Sequence, residues 1–372
     1  MKITIDKSAL LRSLGHVQSV VERRNTIPIL ANVLLKADNN TLSLTTTDMD
    51  LEIIETVEAK VQTPGSITVP ALTLHDIVRK LPDSSSIEIA LDANGNTVAV
   101  KAGRSNFRLS CLPVADFPEL GGSDMPTTFS VPAKDFRALI DRTRFAMSTE
   151  ETRYYLNGIY VHAASSGDAP VLRAVATDGH RLARFEMTLP DGANDMPGVI
   201  VPRKTVGEVR KLIDEAADNI QISLSETKIC FAFDHIVLTS KLIDGTFPDY
   251  QRVIPSGNDK VLEVDPKAFV GAIDRVSTIS TEKSRAVKLT INGKTMTLSA
   301  SSPDSGSATE DVEVSFDADP IEIGFNSRYL LDITQQIEGN GCRITLADSA
   351  SPTIIQDNGD TSALYVLMPL RV

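Results

Sequence analysis

Residues 129–163 read FSVPAKDFRALIDRTRFAMSTEETRYYLNGIYVHA. A short alternating run gives way to apolar residues at helical spacing, Phe136, Leu139, Ile140 and Thr143, and then to a polar turn and a second apolar run. The same order occurs twice more. ITIDKSALLRSLGHVQSVVERRNTIPILANVLLKA (3–37) carries Leu10, Leu14, Val17 and Val21 at helical spacing, and LEVDPKAFVGAIDRVSTISTEKSRAVKLTING (262–293) carries Phe269, Ile273, Val276 and Ile279. Arg24, Arg153 and Arg285 fall in equivalent turns. A second module, a short strand leading into a helix, also repeats: TVPALTLHDIVRKLP (68–82), VIVPRKTVGEVRKLID (199–214) and IEIGFNSRYLLDITQQIE (321–338).

Self-similarity at this period predicts three tandem repeats, divided as 1–124, 125–256 and 257–372. Each is of ordinary domain size. Two helices beside many antiparallel strands make each repeat α+β, with its helices on one face of a sheet. Hairpins are expected at 87–102, turning on Asn94-Gly95, at 220–233, and at 290–300, turning near Asn292-Gly293.

Net charge is −12, with 37 Lys and Arg against 49 Asp and Glu. That total argues against a nucleic-acid coat, unless the charge is unevenly placed. It is uneven. The helices read as 7–21, 72–81, 132–146, 203–213, 265–279 and 327–337 hold 15 basic and 7 acidic residues, while the rest of the chain is strongly acidic. Six helices lining one surface would make it positive inside an acidic exterior, the distribution that suits enclosed DNA. The three cysteines, Cys111, Cys230 and Cys342, are too far apart for a zinc site or a disulfide framework, which points to a reducing, cytoplasmic compartment. No apolar run approaches the roughly 18 to 20 residues that cross a bilayer. The opening MKITIDKSALLRSLG lacks a signal-peptide core.

TDGHRLAR (177–184) sets a histidine two residues after an aspartate. An active site, a turn and a docking surface all fit that string. The counterparts in the other repeats, TTTDMDLE around Asp48 and SSPDSGSA around Asp304, keep neither the histidine nor the arginine. A turn is therefore common to all three repeats and only the middle one is specialised. An isolated Asp–His pair without converging partners makes a poor reaction centre. The five histidines show no ligand spacing, so neither a metal nor another cofactor is expected.

Across essentially its whole length the chain resembles the beta subunit of bacterial DNA polymerase III, the sliding clamp. The resemblance lies in TIPILANVLL (26–35), CLPVADFPEL (111–120), RYYLNGI (153–159), VATDGHRLA (175–183), IVPRK (200–204), SKLIDGTFPDYQRVIP (240–255), EKSRAVKL (282–289) and YVLMPLRV (365–372). It implies a non-catalytic factor: two chains joined head to tail in a closed ring that encircles duplex DNA without sequence preference. It implies partners that dock through short clamp-binding peptides, namely the replicative polymerase alpha subunit, the clamp loader delta subunit, translesion polymerases and repair proteins.

The resemblance also places sites. A peptide pocket would be lined by Leu156, Thr177, Gly179, His180, Arg181, Leu182, Pro248, Arg252, Val253, Val366, Met368, Pro369 and Leu370, with Arg371 nearby. Its chemistry is coherent: an apolar cleft, an adaptable Met, a glycine allowing close approach, and arginines for a partner's backbone or acid at the rim. The apolar tail LMPLRV either lies in that groove, completes the third repeat's sheet, or does both. DNA contacts would be Arg24, Arg79, Arg153, Tyr154, Tyr155 and Lys204, with one of the two tyrosines expected in a core by alternation. At the subunit boundary, Phe107 and Leu109 of the edge-like strand GRSNFRLS (103–110) are expected near Ile273, with Arg104 facing Glu310 or Asp311; a plain solvent-facing edge is the other reading. From a different class, a monomeric peptide-binding hub that never encircles DNA also fits the repeats.

Overall fold

The computed structural model describes residues 1–22, 26–120, 124–215, 218–280 and 285–371. It divides into two compact units. The first comprises Met1–Arg137, Pro190–Pro197 and Lys204–Leu242; the second comprises Ala138–Leu189, Gly198–Arg203 and Ile243–Val372.

Among the described residues six α-helices form where the periodicity places them: α1 (Lys7–Val17), α2 (Ala71–Lys80), α3 (Ala133–Asp141), α4 (Arg203–Leu212), α5 (Pro266–Ser277) and α6 (Ser327–Thr334). All but α2, which keeps its expected length one residue earlier, are shorter than the apolar pattern suggests. In α1 Leu10, Leu14 and Val17 are fully buried, but the helix stops at Val17, and Val21 packs from the extended segment beyond it. Thr143 lies past the end of α3, where its hydroxyl donates to the Leu139 carbonyl at 2.7 Å. The starts of α5 and α6 are chemically marked. The Asp265 side chain accepts from the Ala268 amide at 2.7 Å with Pro266 in the first turn, and Asn326 accepts from the amides of Arg328 and Tyr329.

The first unit holds two antiparallel sheets. One has five strands and ends at Ser105–Ser110, which among the described residues pairs on one side only, with Thr97–Ala102. The other has eight strands, in which Leu51–Glu58 pairs with Ile236–Lys241 in the register Ile53↔Leu238. The first and second sequence repeats thus share one sheet. In the second unit a twelve-stranded sheet runs on in the same way, Arg181–Thr188 pairing with Ala363–Leu367 (Leu182↔Val366). Sheet continuity, rather than repeat length, sets the compact units.

The hairpins at 87–102, 220–233 and 290–300 form, with different turn chemistry from that expected. Between Ser86–Leu91 and Thr97–Ala102, only Gly95 takes a positive φ (+74°), and the Asp92 carboxylate holds the loop through the amides of Asn96 and Thr97. At the third hairpin the two-residue loop is Gly293-Lys294, with Asn292 paired to Thr295. A two-residue turn with positive φ at both centres is Asn39-Asn40 (46° and 60°), as a type I′ hairpin requires.

Candidate functional site

TDGHRLAR folds as a turn held by its own polar groups. The Asp178 carboxylate accepts from the amides of His180 (2.9 Å) and Arg181 (3.0 Å), and the Thr177 hydroxyl accepts from the Gly179 amide and donates to the Arg181 carbonyl. The counterpart at Asp48 repeats these bonds: its carboxylate accepts from Asp50 and Leu51, and the Thr47 hydroxyl accepts from Met49. Both turns need a positive φ at the third residue, +88° at Gly179 and +78° at Met49. Only the middle turn receives another side chain there. A Cβ on Gly179 would stand 2.6 Å from the Arg153 guanidinium.

Asp178 is thus committed to structure and does not serve His180. The exposed His180 ring lies parallel to Tyr329 at 6.1 Å between centroids. Arg181 is not at a rim, contrary to expectation. Its side chain is 8% exposed; it bonds Asp178, Asp332 (2.6 Å) and the Phe145 carbonyl (2.6 Å), and its guanidinium lies over the rings of Tyr329 and Phe145. It braces the turn from beneath, each of its three nitrogens bonded within the chain.

Around this turn the structure gathers an apolar cluster. Leu156, Leu182 and Val366 belong to one buried cluster with Val175, Ile200, Phe247, Tyr250 and Leu364. The tail is pinned over the turn: the Met368 amide donates to the His180 carbonyl at 2.9 Å, and the Leu370 amide to the Gly324 carbonyl at 2.8 Å. The tail therefore extends the sheet while leaving Met368 (41%) and Leu370 (36%) exposed, with Pro369 half-buried and Arg371 exposed. On the chain leading from Phe247, Pro248 is exposed, and a short helical turn (Tyr250–Val253) presents Val253, 52% exposed, and Arg252, whose side chain is 85% exposed and pairs with Asp249. Exposed apolar side chains at Val253, Met368 and Leu370 thus accompany a buried apolar cluster, chemistry suited to anchoring apolar side chains of an extended segment.

The reading from sequence missed Tyr250, Phe247, His162, Arg173 and Glu186, which lie in or beside this cluster. Arg173 and Glu186 are a directly opposed cross-strand pair, 7% and 8% exposed, joined at 2.7 Å. A lone arginine inside the apolar run VLRAVA was the available signal.

The basic candidates are all engaged within the chain, among the described residues. Arg153 makes two bonds to Glu150 (2.8 and 2.6 Å), which holds the Glu150 carboxyl below its usual range. Burial works against the charge of Lys204, but Asp48 (2.5 Å) and Glu22 (3.2 Å) more than offset it and raise its pKa. Arg79 pairs with Asp76 at 3.1 Å. Tyr154 is 53% exposed, while Tyr155 packs on the buried cluster. Arg24 lies outside the described residues. The helical charge is also less available than a count suggests, since Lys7 is buried against the Leu81 carbonyl and Asp83.

At the edge strand Ser105–Ser110, Phe107 and Leu109 are half-buried and alternate with exposed residues, Arg104 just before it among the exposed. Ile273 does not reach a surface: it is fully buried in the face of α5, so it cannot meet Phe107 and Leu109 of another copy. Glu310 is already held by Arg275 (2.6 Å) and Asp311 by the Thr297 hydroxyl (2.6 Å).

The Asp178 turn is spent on structure, and the fold is a set of mixed helix–sheet domains joined through shared sheets. Three models of the DNA polymerase III beta subunit match in order, its N-terminal domain over residues 1–121, its central domain over 130–249 and its C-terminal domain over 251–371. The beta sliding clamp of Caulobacter vibrioides is 52% identical over 372 residues and that of Escherichia coli 38% over 376, each with full coverage of both chains. Among solved structures, the sliding clamp of Bartonella birtlesii bound to griselimycin superposes with a TM-score of 0.97 at 51% identity, and that of Caulobacter crescentus with 0.96 at 51%, both over the full length of both chains. The chain belongs to the DNA polymerase III beta subunit family, the bacterial sliding clamps. Its function is that of a DNA sliding clamp, a non-catalytic processivity factor in replication. No helix of the described residues is long and apolar enough to cross a membrane.

Proposed function

We propose that two copies of this chain, each divided as 1–124, 125–256 and 257–372, close head to tail into a ring through which duplex DNA is threaded. The edge strand Ser105–Ser110, with one unpaired side, is the surface from which a second chain can continue the sheet. Retention then comes from topology, so DNA affinity can be weak. The observation that carries this is the pairing of Arg79, Arg153 and Lys204 with carboxylates of their own chain. A phosphate must compete with those acids, which leaves the duplex centred and free to slide.

The cleft around Leu156, Leu182, Val253, Val366 and Met368 takes short peptides of the polymerase alpha subunit, the clamp loader delta subunit, translesion polymerases and repair proteins. Apolar anchors such as Leu and Phe fit its floor, and a side-chain amide such as Gln fits the rim. The protein works in the cytoplasm, beside the chromosome it serves.

The deciding experiment compares retention on circular and linearised plasmid, clamp loader present, at matched salt. The protein stays on the circle at salt that strips ordinary basic-patch complexes, and is lost once the circle is cut. Equal retention on both forms refutes the ring and leaves a monomeric peptide-binding hub.

A further inference from the structure

Beneath the cleft lies a directed chain of hydrogen bonds that its apolar chemistry does not need. Arg173 starts it. Its Nε donates to Glu186 at 2.7 Å, one terminal nitrogen to the Ser165 carbonyl at 3.0 Å, and the other to the Tyr250 hydroxyl at 2.9 Å. Tyr250, 5% exposed, lies 3.0 Å from Nε2 of His162. The opposite ring nitrogen, Nδ1, lies 2.9 Å from the Ala163 carbonyl, which can only accept, so Nδ1 carries the hydrogen. Nε2 of the neutral ring is therefore the acceptor, and the Tyr250 hydroxyl donates to it. A second route joins the same parts. The His162 ring stacks on Tyr160 (4.6 Å), and Tyr160 stacks on Phe247 (4.9 Å, 9° between planes). His162 thus holds both ends of the segment from Phe247 to Tyr250, which leads straight into the turn carrying Arg252 and Val253.

We propose that His162, Tyr250 and Arg173 are positioning residues for the peptide cleft, and that a proton on His162 releases the Tyr250–Val253 turn and weakens peptide binding. The inference rests on reading the cleft as the peptide site. The chemistry is a matter of donors and acceptors. A proton on Nε2 turns an acceptor into a donor facing a hydroxyl that already receives a bond from Arg173. The tyrosine hydrogen then loses its partner, and a second cation is set beside the guanidinium. The groups facing His162 are Arg173 from one strand, Glu186 and Arg184 from the next, and the Tyr250 and Tyr160 rings. Glu186 is taken up by Arg173 and, at 3.4 Å, by Arg184, so it does not neutralise the imidazolium. Burial, ahead of the Ala163 bond, Arg173 and Glu186, lowers the pKa of His162 below its usual value. The sign follows: the neutral ring and full affinity persist above that lowered pKa, and affinity falls as pH drops through it, below about 6.5.

The test measures binding of a fluorescent Gln-, Leu- and Phe-containing peptide to the full-length protein between pH 8 and pH 5. Wild type is expected to lose affinity several-fold at the acid end. His162→Gln, whose amide oxygen can still accept from Tyr250 but which gives up the stack on Tyr160, is read for the shape of its profile, which should be flat. Tyr250→Phe, which keeps the ring but breaks the chain, binds about 5- to 30-fold more weakly at pH 7.5. His180→Asn separates the exposed rim histidine: the acid loss persists in it. In the free protein, the Val253 methyl signals should titrate with the His162 ring in NMR spectra of wild type and not in His162→Gln. A flat wild-type profile while the peptide binds, an acid loss unchanged in His162→Gln, or Val253 signals indifferent to His162 overturns the proposal. If the peptide binds at no pH while Val253 still follows His162, the peptide reading of the cleft fails and the coupling stands.

Discussion

Gly179→Ala tests whether the turn at the head of the cleft needs glycine for its backbone, for its neighbour, or for both. The φ of +88° puts a β-carbon in a region that costs an L-residue roughly 1–2 kcal/mol. Alanine also restricts the unfolded chain, which returns about 0.4–1 kcal/mol. Backbone terms alone therefore predict a net loss of about 0.5–1 kcal/mol. The new carbon would also stand 2.6 Å from the Arg153 guanidinium, the tip of a flexible side chain, which must swing away from Glu150. That exposed pair contributes little to stability, so the swing should appear in function more than in melting. The assay is scanning calorimetry beside peptide binding. Gly179→Ala should lower the melting temperature of the unit it belongs to by roughly 2–4 °C for each kcal/mol, and should weaken the peptide as the His180 carbonyl shifts under Met368. The mirror change uses the protein's own control: Met49 holds a side chain in the matching turn at +78°. Met49→Gly should therefore stabilise by about 0.5 kcal/mol. A neutral Gly179→Ala, or a destabilised Met49→Gly, refutes the reasoning.

Three other outcomes are expected. Deleting Met368–Val372 removes the exposed Met368 and Leu370 and the tail bonds to His180 and Gly324, and should weaken peptide binding by at least about 30-fold in a titration while the molecular mass by light scattering stays that of the parent. His16, whose pKa is raised chiefly by its bond to the buried Glu55, contributes stability that is full below the ordinary pKa of 6.5 and is lost as pH rises through the raised value, so melting temperature should fall on going from pH 6 towards pH 8, and His16→Gln should flatten that slope. The Cys342 thiol, pushed up to about 12 by burial, should resist thiol reagents at pH 8 in the folded protein and react at once in denaturant, as followed by mass spectrometry.

The helices and the repeat were legible because apolar spacing is written locally, as in Leu10, Leu14 and Val17 or Phe269, Ile273 and Val276. Sheet continuity was not. Nothing near LEIIETVE announces a partner strand at Ile236–Lys241, since strand pairing is fixed by burial of whole faces far apart in the chain. The pocket residues were named from resemblance alone, and the burial of Leu156, Leu182 and Val366 in one cluster is visible only in the fold. The errors share one cause. Arg181 and Ile273 were given surface roles from their positions in a motif, but a guanidinium between two rings and a residue on the inner face of α5 are interior parts. Tyr250 and His162 escaped because their partners stand 88 positions apart.

The strand Leu51–Glu58 has a further consequence during synthesis. Its neighbour begins at Ile236, so on a ribosome adding about 5–20 residues per second the strand waits on the order of ten to thirty seconds with one side unpaired. A nascent strand of that kind is prone to join the same strand on the next polypeptide of a polysome. This one alternates LEIIETVE, and Glu55 points inward, fully buried at the end and bound by Ser13 and His16. A mistaken partner that joins the strand before α1 packs on it must desolvate the Glu55 carboxylate without Ser13 and His16. The residue that looks costly in the finished molecule is then a safeguard for the unfinished one.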